Sequence, residues 1–215
     1  MVEYEWNREL CRKYAEGLRP AVKFDHRPLA RKIFRYLDPQ PNQTVVDIAT
    51  GPGYLLLELG KLMQSPTLIA QDAHAEMLEI AQEEAPKYSH RILTCPCPAE
   101  KLTLADHTAD VVLCKQLLHE ARDPERVVAE ICRITKPDGR IFIIDFDADG
   151  SRLAARFIKG FLRIISGKEI SDSFWKSFNA GLKGRTVVEY MRKYGARQVE
   201  YLKRGPNYLL IGRGC

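Results

Sequence analysis

The segment that most constrains the fold of this chain is residues 45–53, with the sequence VVDIATGPG. An apolar run that leads into a glycine-rich turn is typical of a buried strand that ends at a ligand site. Gly51 and Gly53 lack a Cβ, so the backbone there can adopt positive φ and let a ligand approach the main chain. Leucines then recur at helical spacing, so the turn opens onto a helix N-terminus, whose free N–H groups suit a carboxylate or phosphate. We therefore expect a strand, a turn and a helix that bind a nucleotide-type cofactor.

This turn differs from the dinucleotide-binding fingerprint. Leu56 stands where that pattern has its third glycine, and Asp47 precedes the first glycine by four residues. Both differences disfavour NAD. The segment resembles motif I of the class I S-adenosylmethionine (SAM) dependent methyltransferases. The resemblance implies that SAM is the cofactor and that its methionine part is surrounded by Asp47, Ala49, Gly51 and Gly53.

Further strands are predicted along the chain. Residues 67–72 form an apolar run that ends at Asp72, and residues 91–95, 109–115 and 140–146 form three more. Strands that alternate with helical patterns at this spacing indicate parallel βαβ units in a sheet covered on both faces. Ligands of such sheets bind beyond the C-terminal ends of the strands.

The last third of the chain has a different pattern. Helices are predicted at residues 151–165, 171–182 and 186–194, followed by two strands at 199–203 and 208–212 around a turn. Five parallel strands and a closing hairpin resemble the α/β fold of class I methyltransferases. That family has a Rossmann-like, seven-stranded, mostly parallel sheet of order 3-2-1-4-5-7-6, with helices on both faces. We expect one domain with an N-terminal helical cap (1–40), a SAM-binding core (41–147), a helical acceptor-side segment (148–195) and a closing β-hairpin (196–215).

Three further segments extend the resemblance. Residues 110–119, 123–125 and 133–140 look like the fourth strand, the next helix and the turn before the fifth strand of the small-molecule branch. That branch includes quinone-biosynthesis methyltransferases. The resemblance implies methyl transfer from SAM to a small molecule.

The same resemblance indicates which residues bind the nucleoside end of SAM. Asp72 lies about 20 residues past the glycine turn, where a doubly wound sheet offers an acid to ribose hydroxyls. A carboxylate suits a diol because its two oxygens can accept two O–H donors at once. The resemblance implies that Ala73 and Met77 lie against the adenine. A helix N-cap is the alternative role for Asp72.

One position departs from the family pattern. Where the family commonly has Gly-Asp-Ala after the third strand, with the acid on the adenine amino group, this chain has Cys97, Pro98 and Ala99. Proline has neither a side-chain acceptor nor a backbone N–H. The adenine contact must then come from the Ala99 backbone or Glu100, or be missing. Lys115, at the end of the fourth strand, is expected to contact cofactor or acceptor.

His119 is the candidate catalytic residue. Methyl transfer requires an acceptor lone pair in line with the methyl group, and a base only where the acceptor must lose a proton. His119 lies just beyond the fourth strand and beside Glu120, which could orient its imidazole. Packing of His119 against the sheet is the alternative.

No metal site is expected. Residues 145–150 match the first positions of an EF-hand loop, but Arg156 stands where the bidentate glutamate should be. We expect Asp145 and Asp147 to cap or line the acceptor pocket, or to cap the helix that starts near Ser151.

Bulk properties limit the remaining possibilities. The 215 residues, of which 45% are hydrophobic, suffice for one core, and no apolar run is long enough to span a bilayer. Residues 1–19 are too polar for a signal or transit peptide, so we expect a cytoplasmic protein with reduced cysteines. The net charge is +5, yet basic residues are spread along the chain, which makes nucleic acid an unlikely partner.

The acceptor is expected to be a small molecule, possibly aromatic or heterocyclic, and a homodimer is allowed. Aromatic and apolar residues near both ends could line its pocket: Tyr4, Trp6, Tyr14, Val22 and Phe24, then Phe157, Phe161, Phe174, Trp175 and Phe178. Two alternatives stay open. One is a non-catalytic SAM-binding regulatory protein, and the other is an RNA or protein methyltransferase.

Overall fold

A single seven-stranded sheet organises the computed structural model, which describes residues 7–165 and 167–214, without the side chains of residues 165, 167, 169 and 170. The strands are β1 (Thr44–Ile48), β2 (Thr67–Asp72), β3 (Ile92–Pro96), β4 (Ala109–Lys115), β5 (Thr135–Phe146), β6 (Arg197–Arg204) and β7 (Asn207–Arg213). Their order is β3-β2-β1-β4-β5-β7-β6. β1 to β5 pair in parallel, and β7 runs antiparallel to β5 and β6. The expected fold class and strand order are confirmed.

Helices cover both faces of this sheet. They are α1 (Arg8–Ala21), a π-helical turn (Val22–His26), α2 (Arg27–Phe34), α3 (Tyr54–Gly60), α4 (Ala75–Glu84), a 3₁₀ segment (Ala85–Tyr88), α5 (Pro124–Ile134), α6 (Arg152–Ile165), α7 (Gly167–Ala180) and α8 (Gly184–Lys193). Across the described part of the chain, no helix combines the length and the apolar character that crossing a bilayer requires.

The two faces of the sheet bury separate apolar clusters. Val45 and Val46 are adjacent on β1 and point to opposite faces, as the pleat requires. Val45 packs with residues of α2, α3 and α4, whereas Val46 packs with residues of α5 and α8. Strands buried on both faces explain why β1 and β4 are nearly continuous apolar runs.

β5 and α7 begin several residues earlier than their patterns predict. β5 starts at Thr135, which pairs with Ala109 before the register shifts, so the predicted turn at residues 136–139 forms an irregularity within the strand. α7 starts at Gly167 rather than at Ser171. Ser171 thus lies within the helix, where it is fully buried and its hydroxyl donates to the Lys159 carbonyl of α6, 3.0 Å away.

The N-terminal helices lie over the edge of the sheet where β1 and β2 end. Cys11 and Ala15 of α1 form a small buried cluster with Met77 and Ile80 of α4. The hydroxyl of Tyr54, the first residue of α3, donates to the Ala15 carbonyl at 3.2 Å. The cap is thus attached to the helices that follow β1 and β2.

Candidate cofactor and acceptor site

The glycine turn after β1 adopts the backbone conformation that its sequence predicts. Ala49, Gly51 and Gly53 have φ values of 52°, 53° and 78°. A Cβ added to Gly51 would meet no atom within 4 Å, so the turn faces open space on that side. Gly53 is the N-cap of α3, and its own Cβ would lie 3.2 Å from the Ala81 Cβ. The turn therefore exposes main chain to a ligand and keeps α3 close to α4.

Asp72 supports this turn from the end of β2. Its Oδ2 accepts a hydrogen bond from the Gly51 N–H at 2.9 Å, and its Oδ1 accepts one from the His74 N–H at 3.0 Å. The residue is 7% exposed, and burial raises the pKa of its carboxyl. Each carboxylate oxygen has further lone pairs, so Asp72 can hold the turn and still accept from a ligand hydroxyl. His74, rather than Asp72, occupies the N-cap position of α4.

Gln71 is a site residue that the sequence reasoning missed. Its Oε1 accepts from the Ala49 N–H at 3.0 Å, and its Nε2 donates to the Cys97 carbonyl at 2.5 Å. It is 1% exposed. The side-chain amide thus joins the turn after β1 to the loop after β3. A glutamine in an otherwise apolar strand was the available signal.

Asp47 lies buried directly beneath the turn. Burial raises the pKa of its carboxyl to about 7, although the Thr50 hydroxyl donates to it at 2.9 Å and Lys115 is nearby. The charge of Asp47 is therefore sensitive to pH near neutrality. A cationic ligand group above the turn would favour the ionised form.

An ion pair joins the strand ends to the cap. The Lys115 Nζ lies 3.0 Å from the Asp25 Oδ2 of the π-helical turn, and it also donates to the Gln116 Oε1 at 3.2 Å. The neighbouring His26 packs edge-on against Tyr54. Burial and the charge of Lys115 lower the pKa of His26 to about 4, so that imidazole is neutral at physiological pH.

The four residues expected at the adenine end have different surroundings. Ala73 is exposed after β2, whereas Met77 is 3% exposed and packs under α1. Ala99 is buried after β3, and the Glu100 carbonyl accepts from the Arg126 Nε at 3.2 Å. Their roles toward a ligand stay predictions.

His119 and Asp145 form a buried pair at the ends of β4 and β5. The His119 Nδ1 lies 2.6 Å from the Asp145 Oδ1, and the His119 Nε2 lies 3.5 Å from the Glu120 Oε1. Asp145 also accepts from the backbone N–H groups of Leu118 and Phe146, each at 2.7 Å. Burial alone would lower the pKa of His119, but Asp145 and Glu120 raise it to about 9. The imidazole is therefore predominantly protonated at neutral pH.

Aromatic residues continue the site beyond this pair. The Phe146 ring contacts His119, Phe174 and Phe178 edge-on, with centroid distances of 5.0, 5.5 and 6.4 Å. Trp175 packs against Phe178 at 5.6 Å. These four aromatic residues form a wall next to the imidazole. Phe146 and Phe178 are each 3% exposed and pack in a buried cluster. Only the half-buried Phe174 and Trp175 can therefore offer a surface to a flat apolar molecule.

The remaining candidate aromatic residues do not join this wall. Phe157 and Phe161 of α6 are 72% and 62% exposed, because they lie on the outer face of that helix. Phe24 is also largely exposed. Tyr4 and Trp6 lie outside the described residues.

Asp147 holds neighbouring segments of the chain together through hydrogen bonds. Its Oδ1 accepts from the backbone N–H groups of Asp149 and Gly184 at 3.1 and 3.3 Å, and its Oδ2 accepts from the Tyr201 hydroxyl. It therefore supports the start of α8, whereas Ser151 supplies the side-chain cap of α6. Within the described residues, no group of His, Cys, Asp and Glu side chains is arranged to hold a metal ion.

Comparisons with known proteins agree with this geometry. Residues 46–143 match a family model described as a methyltransferase domain. The uncharacterized methyltransferase YcgJ of Bacillus subtilis is 27% identical over 158 residues, which cover 73% of this chain and 57% of that protein. The ubiquinone/menaquinone biosynthesis C-methyltransferase UbiE of Acidiphilium cryptum is 32% identical over 123 residues, or 56% of this chain and 49% of that protein.

A solved structure extends the match to the whole fold. It is the crystal structure of a protein of Methanococcus maripaludis assigned as a SAM-dependent methyltransferase, with a TM-score of 0.77 at 19% identity. The superposition covers 100% of this chain and 96% of that one. The curated relatives are longer, and the chain spans about half of their length.

Proposed function

Because the chain belongs to the class I SAM-dependent methyltransferases, we propose that it transfers the methyl group of SAM to a small aromatic acceptor. The observation that carries the proposal is the joint position of two groups at one edge of the sheet. The glycine turn and Asp72 follow β1 and β2, and the His119–Asp145 pair follows β4 and β5. In parallel sheets, ligands bind at that edge.

The residues present fit SAM, which supplies a methyl group on a sulfonium. Asp72 would accept hydrogen bonds from the ribose hydroxyls while it continues to hold the Gly51 N–H. Lys115 and Asp25 offer opposite charges 3.0 Å apart, which complement the carboxylate and ammonium of the methionine end. The positive φ at Gly51 and the open space beside it permit close approach of that end to the main chain.

An aromatic acceptor is supported by the half-buried rings of Phe174 and Trp175, which belong to the aromatic wall beside His119. The relative UbiE is described as a C-methyltransferase of ubiquinone and menaquinone biosynthesis. Both observations favour an electron-rich ring. Methyl transfer to a ring hydroxyl releases the O–H proton, and methyl transfer to a ring carbon releases the proton of that carbon.

His119 is proposed to take that proton at Nε2. Its Nδ1 is held by Asp145, which fixes the ring orientation and leaves Nε2 as the atom that exchanges a proton. Because His119 has a pKa of about 9, the reactive neutral form becomes more populated as the pH rises toward that value. Glu120, 3.5 Å from Nε2, would stabilise the protonated form afterwards.

Transfer of a labelled methyl group tests this function. The protein is incubated with methyl-labelled SAM and a panel of phenols, catechols and hydroquinones. We expect label in at least one of these compounds. The variant His119→Gln should lower kcat by about 100-fold with little change in SAM affinity, because general-base catalysis contributes on that order.

Two outcomes would contradict the proposal. Label that enters RNA or protein, but none of the aromatic compounds, would favour a macromolecular acceptor. Tight SAM binding without transfer to any of these acceptors would favour a regulatory SAM-binding protein.

A further inference from the structure

The outer face of α6 is apolar and exposed to solvent. Leu153, Phe157, Phe161 and Ile164 are spaced like one face of a helix, and they are 66%, 72%, 62% and 85% exposed. The neighbouring Ile158 is 36% exposed. Large apolar side chains that are contiguous on a surface usually mark an interaction site. We call these five residues the α6 face.

The helix is attached to the protein by a different side. Ala155 is fully buried and packs in a cluster with Phe146 and Phe178. Lys159 pairs with Asp172 of α7 at 3.3 Å. The contacts that hold α6 in the fold therefore leave the α6 face outward. Its exposed residues are not required for the packing of the core.

The charged residues of α6 itself have one sign. Residues 152–165 include Arg152, Arg156, Lys159 and Arg163 but no Asp or Glu. Residues 151–204 contain 13 Lys and Arg residues and four Asp and Glu residues. The whole chain contains 33 Lys and Arg residues and 28 Asp and Glu residues. The positive charge of the molecule is thus concentrated in the segment that carries the α6 face.

We propose that α6 docks on an anionic lipid surface, with the α6 face inserted among the lipids and its arginines against the headgroups. A helix with Phe and Leu on one side and Lys and Arg on the other is suited to lie in the plane of a membrane interface. Each basic residue near an anionic leaflet adds attraction to the apolar contribution. The proposal is independent of the catalytic function.

A second copy of this chain fits the same face less well. Packing two α6 faces together would bring Arg152, Arg156 and Arg163 of both copies around one interface. No acidic residue of α6 would offset that repulsion. An anionic surface satisfies the apolar and the charged features together.

Vesicle co-sedimentation tests the proposal with the whole chain. We expect binding to vesicles of phosphatidylcholine with about one third phosphatidylglycerol, and weaker binding to phosphatidylcholine alone. The double variant Phe157→Ser/Phe161→Ser should bind at least tenfold more weakly. The triple variant Arg152→Gln/Arg156→Gln/Arg163→Gln should lose the preference for phosphatidylglycerol. Raising the salt concentration should weaken the binding of the wild-type chain.

Matched controls come from exposed residues far along the chain from α6. Leu93→Ser removes an apolar side chain that is 60% exposed on β3, and Arg31→Gln/Arg91→Gln/Arg122→Gln removes three other exposed arginines. Both controls should bind vesicles as the wild type does. Thermal unfolding followed by circular dichroism should be unchanged in the α6 variants, because the substituted side chains are exposed.

Three results would overturn the proposal. The wild-type chain could fail to bind the anionic vesicles. The controls could lose as much binding as the α6 variants. A lipid-free dimer in light scattering that becomes monomeric in Phe157→Ser/Phe161→Ser would assign the α6 face to a second copy.

Discussion

At the scale of single residues, the charge of His119 depends on Asp145. The two side chains are 3% and 1% exposed, and their Nδ1 and Oδ1 atoms are 2.6 Å apart. Replacing Asp145 with asparagine removes the negative charge but keeps the shape. The burial of the imidazole, which disfavours its protonated form, is then opposed by Glu120 without the help of Asp145.

We therefore expect Asp145→Asn to lower the pKa of His119 from about 9. NMR titration of the imidazole measures this change, and the acidic limb of log kcat against pH, where kcat rises as the base loses its proton, should move to lower pH with it. Asp106→Asn, which alters an exposed carboxylate that pairs with Arg133, serves as the control. A limb that stays in place in Asp145→Asn would exclude His119 as the base.

The same pair contributes to stability in a defined pH range. His119 titrates at about 9 in the folded state and near 6.5 when unfolded, so the folded state binds more protons between these values. Its contribution is complete below about pH 6.5 and is lost as the pH rises through about 9.

Urea unfolding as a function of pH measures this contribution. Over that range, the free energy of unfolding of the wild type should fall by up to about 3 kcal/mol more than that of His119→Gln. Parallel curves for the two proteins would show that the imidazole is not held as a cation.

At the scale of elements, the turn between β1 and α3 depends on glycine. Gly53 has a φ of 78°, and an added Cβ would lie 3.2 Å from the Ala81 Cβ. We expect Gly53→Ala to destabilise the protein by about 1–2 kcal/mol in urea unfolding. Gly17→Ala is the matched control, because Gly17 is within α1 and its added Cβ would meet nothing within 4 Å.

The control should stabilise the protein by about 0.5–1 kcal/mol, since alanine is the better helix former. Equal effects of the two substitutions would mean that the positive φ at Gly53 is not required.

Elements with a strong local pattern could be predicted from the sequence. β2 and β4 have the predicted bounds because each is an apolar run bounded by polar residues. The predicted start of β5 was wrong because the strand begins with the pairing of Thr135 with Ala109, which depends on the neighbouring strand. The π-helical turn at Val22–His26 was not predicted at all.

The features of the site likewise divide into those that follow from the local sequence and those that depend on strand pairing. The positive φ values at Gly51 and Gly53 follow from local chemistry, and the sequence predicted them. The pairing of His119 with Asp145 joins residues that are 26 positions apart, and only the adjacency of β4 and β5 brings them together. The attachment of Asp72 to the Gly51 N–H likewise depends on the pairing of β1 with β2.

At the scale of the whole molecule, the strand order brings the two halves of the site to one edge. β1 lies between β2 and β4 in the sheet, so the glycine turn is flanked by Asp72 on one side and by Lys115 on the other. The exposed α6 face lies on the helix that follows β5. The proposed cofactor, acceptor and membrane contacts thus lie on successive segments of one fold.

The central claim is that this edge of the sheet binds SAM, and isothermal titration with SAM tests it most directly. We predict a Kd below about 100 μM for the wild type, in the usual range for enzyme substrates. Asp72→Asn should bind at least tenfold more weakly, whereas Glu79→Gln, which changes an exposed carboxylate of α4, should bind like the wild type. The absence of heat at millimolar SAM, or an unchanged affinity in Asp72→Asn, would contradict the account.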